Sequence, residues 1–169
     1  MDHPRGPLGS ASGTRTTAVP VLCVMLFIFG GFALLSNASD ALSHVTPEDA
    51  EAQVDKSMEM AMKFVQNDEN AGELMAEVRE ASLRVLEKNA TIGFLKLIAT
   101  MGAMVGAAYL WRMRRMGFHI YLASAIVWAF APMFVVGANM VTWIYAIMYG
   151  IVVFIFALIL AIERKHMIA

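Results

Sequence analysis

The stretch Leu110-Trp111-Arg112-Met113-Arg114-Arg115-Met116-Gly117-Phe118 decides how the whole chain is read. Before it, residues 91–111 form an almost unbroken apolar run; after it, residues 117–136 form another. A bilayer core of about 30 Å needs roughly 20 apolar residues in a helix. Each run is therefore a membrane span, and residues 112–116 are the turn between two spans. A short loop carrying three arginines belongs on the cytoplasmic side.

Two further runs, residues 17–35 and 139–162, meet the same length criterion. The chain of 169 residues is 59% apolar and only 16% charged. Its mean hydropathy is +0.61, which excludes an ordinary soluble domain. The expected fold is an all-α integral membrane protein of four transmembrane helices, multi-pass in the cell membrane. Each span reverses the side of the next, so the basic turn places the arm at residues 1–16 and the tail at 163–169 in the cytoplasm. Arg5, Arg15, Arg164 and Lys165 agree with that placement, and only Asp2 and Glu163 oppose it. Residues 36–90 fall outside and hold twelve of the fourteen acidic residues. The arm, rich in Gly, Ser, Thr and Pro, reads as flexible. Ser36-Asn37-Ala38 resembles a signal-peptidase site, but the run from Ala18 to Leu35 exceeds the usual 7 to 15 residues of a signal core. An uncleaved anchor is the preferred reading.

In the outer segment, Thr46-Pro47-Glu48-Asp49 starts a helix: Thr46 caps, Pro47 suits the first turn, and the two acids favour the positive end of the dipole. Val54, Met58, Ala61 and Val65 then draw an apolar stripe at helical spacing, broken between Gln66 and Gly72. Leu74, Val78, Ala81 and Val85 repeat it. The spacing predicts an extracytoplasmic helical hairpin between the first and second spans. Its two stripes either bury each other or offer Val54, Met58, Val65, Leu74, Val78 and Val85 to a partner. Met58, Met60, Met62 and Met75 suit an adaptable contact surface as well as ordinary core filling. The acidic residues form no calcium-loop spacing and His44 stands alone, so no metal site is expected. Asn37-Ala38-Ser39 and Asn89-Ala90-Thr91 match the glycosylation acceptor pattern.

Ionisable groups are scarce in the spans, as expected where function does not demand them. Lys96 can snorkel to the outer interface and His119 lies near the basic turn. Asn139 falls in the tight turn Gly137-Ala138-Asn139, where it serves chain reversal. No arrangement of nucleophile, base or paired carboxylates is present, so neither catalysis nor a cofactor is expected. The single cysteine, Cys23, reads as a small apolar filler. A net charge of −1 gives no reason to expect nucleic acid.

What the spans carry is packing chemistry. Gly102 and Gly106 form GxxxG, flanked by Ala99, Ala103 and Ala107, which lets a neighbouring backbone approach closely. That neighbour is either internal, with Gly30-Gly31 or Ala123, Ala125 and Ala129 as its small surface, or a second chain. Pro132 predicts a kink or the end of regular helix in the third span. Tyr109, Trp111, Tyr121 and Trp143 read as interfacial belt residues. Arg112, Arg114, Arg115, Arg164 and Lys165 make a basic collar that orients the protein and is also able to bind anionic headgroups.

The run from Leu110 to Tyr121, with Trp111, the three arginines, then Gly117-Phe118 and Tyr121, resembles the basic turn of small uncharacterised multi-span proteins of bacteria. The resemblance covers about a dozen residues; it implies a bacterial inner membrane and no activity. The four-span layout is also similar to tetraspanins and claudins, whose outer cysteines this chain lacks. The expected function is that of a non-enzymatic accessory, scaffold or assembly subunit of a membrane complex. Its expected partners are membrane lipids and either another membrane protein or further copies of itself. The alternative is an oligomeric channel or transporter for a small or lipidic solute.

Overall fold

Because apolar side chains dominate the long runs and no water competes for backbone groups in a bilayer, helices satisfy those groups internally. The computed structural model describes residues 18–43, 45–63 and 71–163. All regular structure among them is helical: α1 (Ala18–Leu42), α2 (Pro47–Met62), α3 (Ala71–Glu87), α4 (Asn89–Trp111), α5 (Arg115–Val136) and α6 (Met140–Glu163). Four of them, α1, α4, α5 and α6, are long and apolar enough to cross a membrane.

The first long helix does not stop where its apolar run stops. α1 continues unbroken through Ser36-Asn37-Ala38 to Leu42. The extension holds because α4 receives it: the buried Asn37 amide donates to Thr100 Oγ1 at 2.9 Å. Nearer the helix end, Gly93 admits the α1 backbone so closely that an added Cβ would stand 2.6 Å from the Ala41 nitrogen.

Thr46 caps α2 by accepting from the Asp49 amide at 3.2 Å. α2 lies along α3, with Ala50 and Val54 of α2 and Ala81 of α3 buried. Arg79 Nε donates to Asp55 Oδ1 across the pair at 2.7 Å. α3 also touches α4, α5 and α6, so it rests on one end of the four-helix bundle. Asn89 ties the start of α4 to the end of α1 by donating to Ser43 Oγ at 3.3 Å.

Within the bundle, α4 packs between α1 and α5, α5 packs between α4 and α6, and α6 meets α1 over only a few residues. At the arginine-turn end, Val19, Leu22 and Cys23 of α1, Leu110 of α4, Phe118, Tyr121 and Ala125 of α5, and Leu160 of α6 form the core. The turn there closes α4 with paired bonds, Met113 N to Leu110 O at 2.8 Å and Arg114 N to Tyr109 O at 3.0 Å. This pattern normally takes glycine at the left-handed position; here Met113 occupies it at φ 57°, and its side chain packs on the core. At the other end, α5 runs through Pro132 to Val136 and is ended by Gly137 at φ 93°.

Candidate functional site

The glycine face of α4 is occupied within the chain. An added Cβ at Gly106 would lie 2.7 Å from the Tyr121 nitrogen and 2.9 Å from its Cα, and one at Gly102 would meet Ser124 Oγ. From the facing helix, a Cβ at Gly117 would lie 2.7 Å from Gly106 O. The absent side chains at Gly106 and Gly117 thus let α4 and α5 approach backbone to backbone, and the one at Gly102 makes room for the Ser124 side chain. The approach also moves Tyr121, expected at the interfacial belt, into the core, where it is 5% exposed. Trp111 and Trp143, about half exposed, do face outward. Cys23 packs α1 on α4 with its thiol donating to Ala107 O at 3.6 Å.

The apolar stripes of α2 and α3 divide. Val54 is buried between α2 and α3, while Met58, Val78 and Val85 are half-buried and Leu74 is 44% exposed. Val65 lies outside the described residues. A groove of about 430 Å³ runs between the two helices, lined by Met58, Met62, Met75 and Ala76 with Asp55 and Arg79 on its polar side. Met60 and Met62 are both more than half exposed. Arg79 holds the Asp55 carboxyl below its usual pKa, chiefly through the hydrogen bond and also through its charge.

Lys96 takes a different course from simple snorkelling. Its ammonium stands 5.1 Å from the ring centre of Trp128 on α5, 5.7 Å from Tyr145 and 5.9 Å from Tyr149, both on α6. Trp128 meets Tyr149 edge-on at 4.6 Å, and Tyr145 stacks on Tyr149 at 5.9 Å. A cation over aromatic faces gains about 0.5–2 kcal/mol depending on desolvation, so the lysine joins three helices. Sequence reasoning missed Trp128; the four-residue spacing of Tyr145 and Tyr149 was the one signal that two rings share a face.

Directly beneath this cluster, α1, α4, α5 and α6 leave a crevice of about 230 Å³ with an almost wholly apolar lining. Gly30 and Ala33 of α1, Ala99 and Ala103 of α4, Ala125 of α5 and Val153 of α6 supply its small side chains. Trp128 is shared between crevice and cluster, and Thr100 of the Asn37 pair lies on its wall.

Asn139 caps α6: the Thr142 amide donates to its Oδ1 at 2.9 Å, and its own amide donates to Thr142 Oγ1 at 3.0 Å. Of the basic collar, Arg112, Arg114 and Arg115 are exposed around the α4–α5 turn, and Arg164 and Lys165 lie outside the described residues. His119 is exposed, its ring edge-on to Phe118 at 5.5 Å. No group of His, Cys, Asp or Glu among the described residues is arranged to hold a metal. No family model, no curated protein and no solved structure matches the chain.

Proposed function

We propose that this chain is a non-enzymatic accessory or assembly subunit of a membrane complex, anchored by four spans and meeting its partner through the α2–α3 hairpin. The carrying observation is the exposure of Met60, Met62 and Leu74 on a segment outside the four apolar helices, where lipid does not account for it. Isolated methionines on such a surface adapt to varied partners. The arginines at the α4–α5 turn support a cytoplasmic turn, which puts both termini in the cytoplasm and the hairpin outside the cell membrane. The continuity of α1 through Ser36-Asn37-Ala38, and the burial of Asn37 against α4, support an uncleaved anchor.

Extraction in mild detergent, followed by native mass measurement and identification of the bound proteins, tests this reading. The expected result is a defined complex with a second protein that dissociates when Met60, Met62 and Leu74 are replaced by Glu. A lone monomer would overturn it. A homo-oligomer with nothing else bound would transfer the assignment to the channel or carrier reading, and liposome flux would then be the next measurement.

A further inference from the structure

The crevice between α1, α4, α5 and α6 has a chemical direction. Along α4, Lys96, Ala99, Thr100 and Ala103 follow at helical spacing, so the ammonium heads the same face whose small residues line the crevice. Along α6, Tyr149 and Val153 repeat that order, and Trp128 of α5 joins the two levels. A positive head therefore sits one helical turn above an apolar slot. Lys96 has no ion-pair partner within 4 Å among the described residues. Asp40 lies only within longer electrostatic reach, and the rings offer quadrupoles rather than a counter-charge.

The slot opens where the bundle is least closed. α1 and α6 meet over few residues, and those near the arginine turn, Val19, Leu22, Cys23 and Leu160, seal that end. Toward Lys96, Gly30, which is backed by the Met104 side chain of α4, and Ala33 line the slot from α1, and Val153 lines it from α6. A second helix, about 10 Å across with its side chains, does not fit a space of about 230 Å³. A stretch of one acyl chain does.

We propose that the crevice binds one anionic phospholipid of the bilayer, an acyl chain lying against Ala33, Ala103 and Ala125 and the phosphate facing the Lys96 ammonium. This site is independent of the hairpin and of any protein partner. Asp40 tempers the positive charge, so the selectivity is at most what a single cation gives.

The full chain is reconstituted in nanodiscs containing equal phosphatidylglycerol and phosphatidylcholine, then released for native mass spectrometry. One retained lipid per chain is expected, with phosphatidylglycerol preferred by up to about fivefold, the ratio that one basic residue near the surface gives. Lys96→Gln is expected to keep a lipid and lose the preference. Ala33→Phe and Ala103→Phe, which fill the slot from two different helices, are expected to lose the lipid while circular dichroism shows an intact helical fold. Absence of a retained lipid in the unsubstituted protein overturns the proposal. So does undiminished retention in both filled variants, or a dimer in which the second copy covers the crevice. If both filled variants unfold, the Lys96→Gln preference decides the outcome by itself.

Discussion

Gly106→Ala is a sharp perturbation of the α4–α5 contact, because the added methyl meets backbone and no side chain can rotate out of its way. The new carbon would stand 2.7 Å from the Tyr121 nitrogen, 2.9 Å from its Cα and 3.0 Å from its Cβ, whereas ordinary contact begins at 3.4 Å. Restoring contact at the tightest point requires α4 and α5 to separate by about 0.7 Å, within the 0.5–1 Å gap that forfeits roughly a quarter to a half of the dispersion at neighbouring atoms. Overpacking of this kind costs about 1–3 kcal/mol, and alanine returns up to ~1 kcal/mol of helix propensity. The expected net loss is up to about 2 kcal/mol, a melting shift of up to roughly 8 °C for a chain of this size. Gly31→Ala is the matched control, since an added Cβ there meets nothing within 4 Å; it should be neutral or slightly stabilising. Gly102→Ala should fall between them, because its obstacle is the rotatable Ser124 hydroxyl. Thermal unfolding in mild detergent, followed by helical circular dichroism, reads all three. A Gly106→Ala protein that melts at or above the unsubstituted temperature would refute the claim that backbone contact at this glycine sets the α4–α5 distance.

Asn37→Ala should lower stability by about 0.6–1.7 kcal/mol, the range for interhelical polar pairs in bilayers; if a cycle with Thr100→Val shows no coupling, the bond to Thr100 Oγ1 has been misassigned. Asn139→Ala removes the α6 cap and should cost about 0.5–2 kcal/mol, read as a lower melting temperature, whereas Asn139→Ser should recover most of the loss. The Asp55–Arg79 contact has an acid limit. Because the folded pKa of Asp55 lies below its ordinary value of 3.8, the contribution is fully present above that value and disappears as pH falls through the lowered one. Distance measurements between spin labels on α2 and α3 should therefore show loosening only in strong acid, with the step absent in Asp55→Asn; loosening near neutral pH would contradict the assignment.

The length and composition of four runs were legible without coordinates, as were the Thr46 cap and the two amphipathic stripes. The legible features are local: a bilayer demands about 20 apolar residues, and a cap needs residues three apart. Ser36 to Leu42 was not legible as part of a spanning-length helix, because its polar residues end the apolar run; the helix persists through Asn37 and the partner 63 positions away in sequence. Tyr121 read as an interfacial ring since its sequence position lies near a span end, and only the missing Cβ of Gly106 turns it inward. Lys96 was visible as a costly charge but not as a cation over three rings drawn from two other helices.

The sequence by itself determined that the chain is helical and carries four segments able to cross a membrane, because backbone hydrogen bonding in lipid leaves a run of that length little alternative to helix. The tertiary structure alone decided which faces meet: that the GxxxG glycines receive α5, that Val54 is buried where α2 lies along α3, and that Lys96 heads an apolar crevice. Those outcomes depend on side-chain shape matched between helices distant in sequence, and periodicity along one helix records where a face lies but not what packs against it.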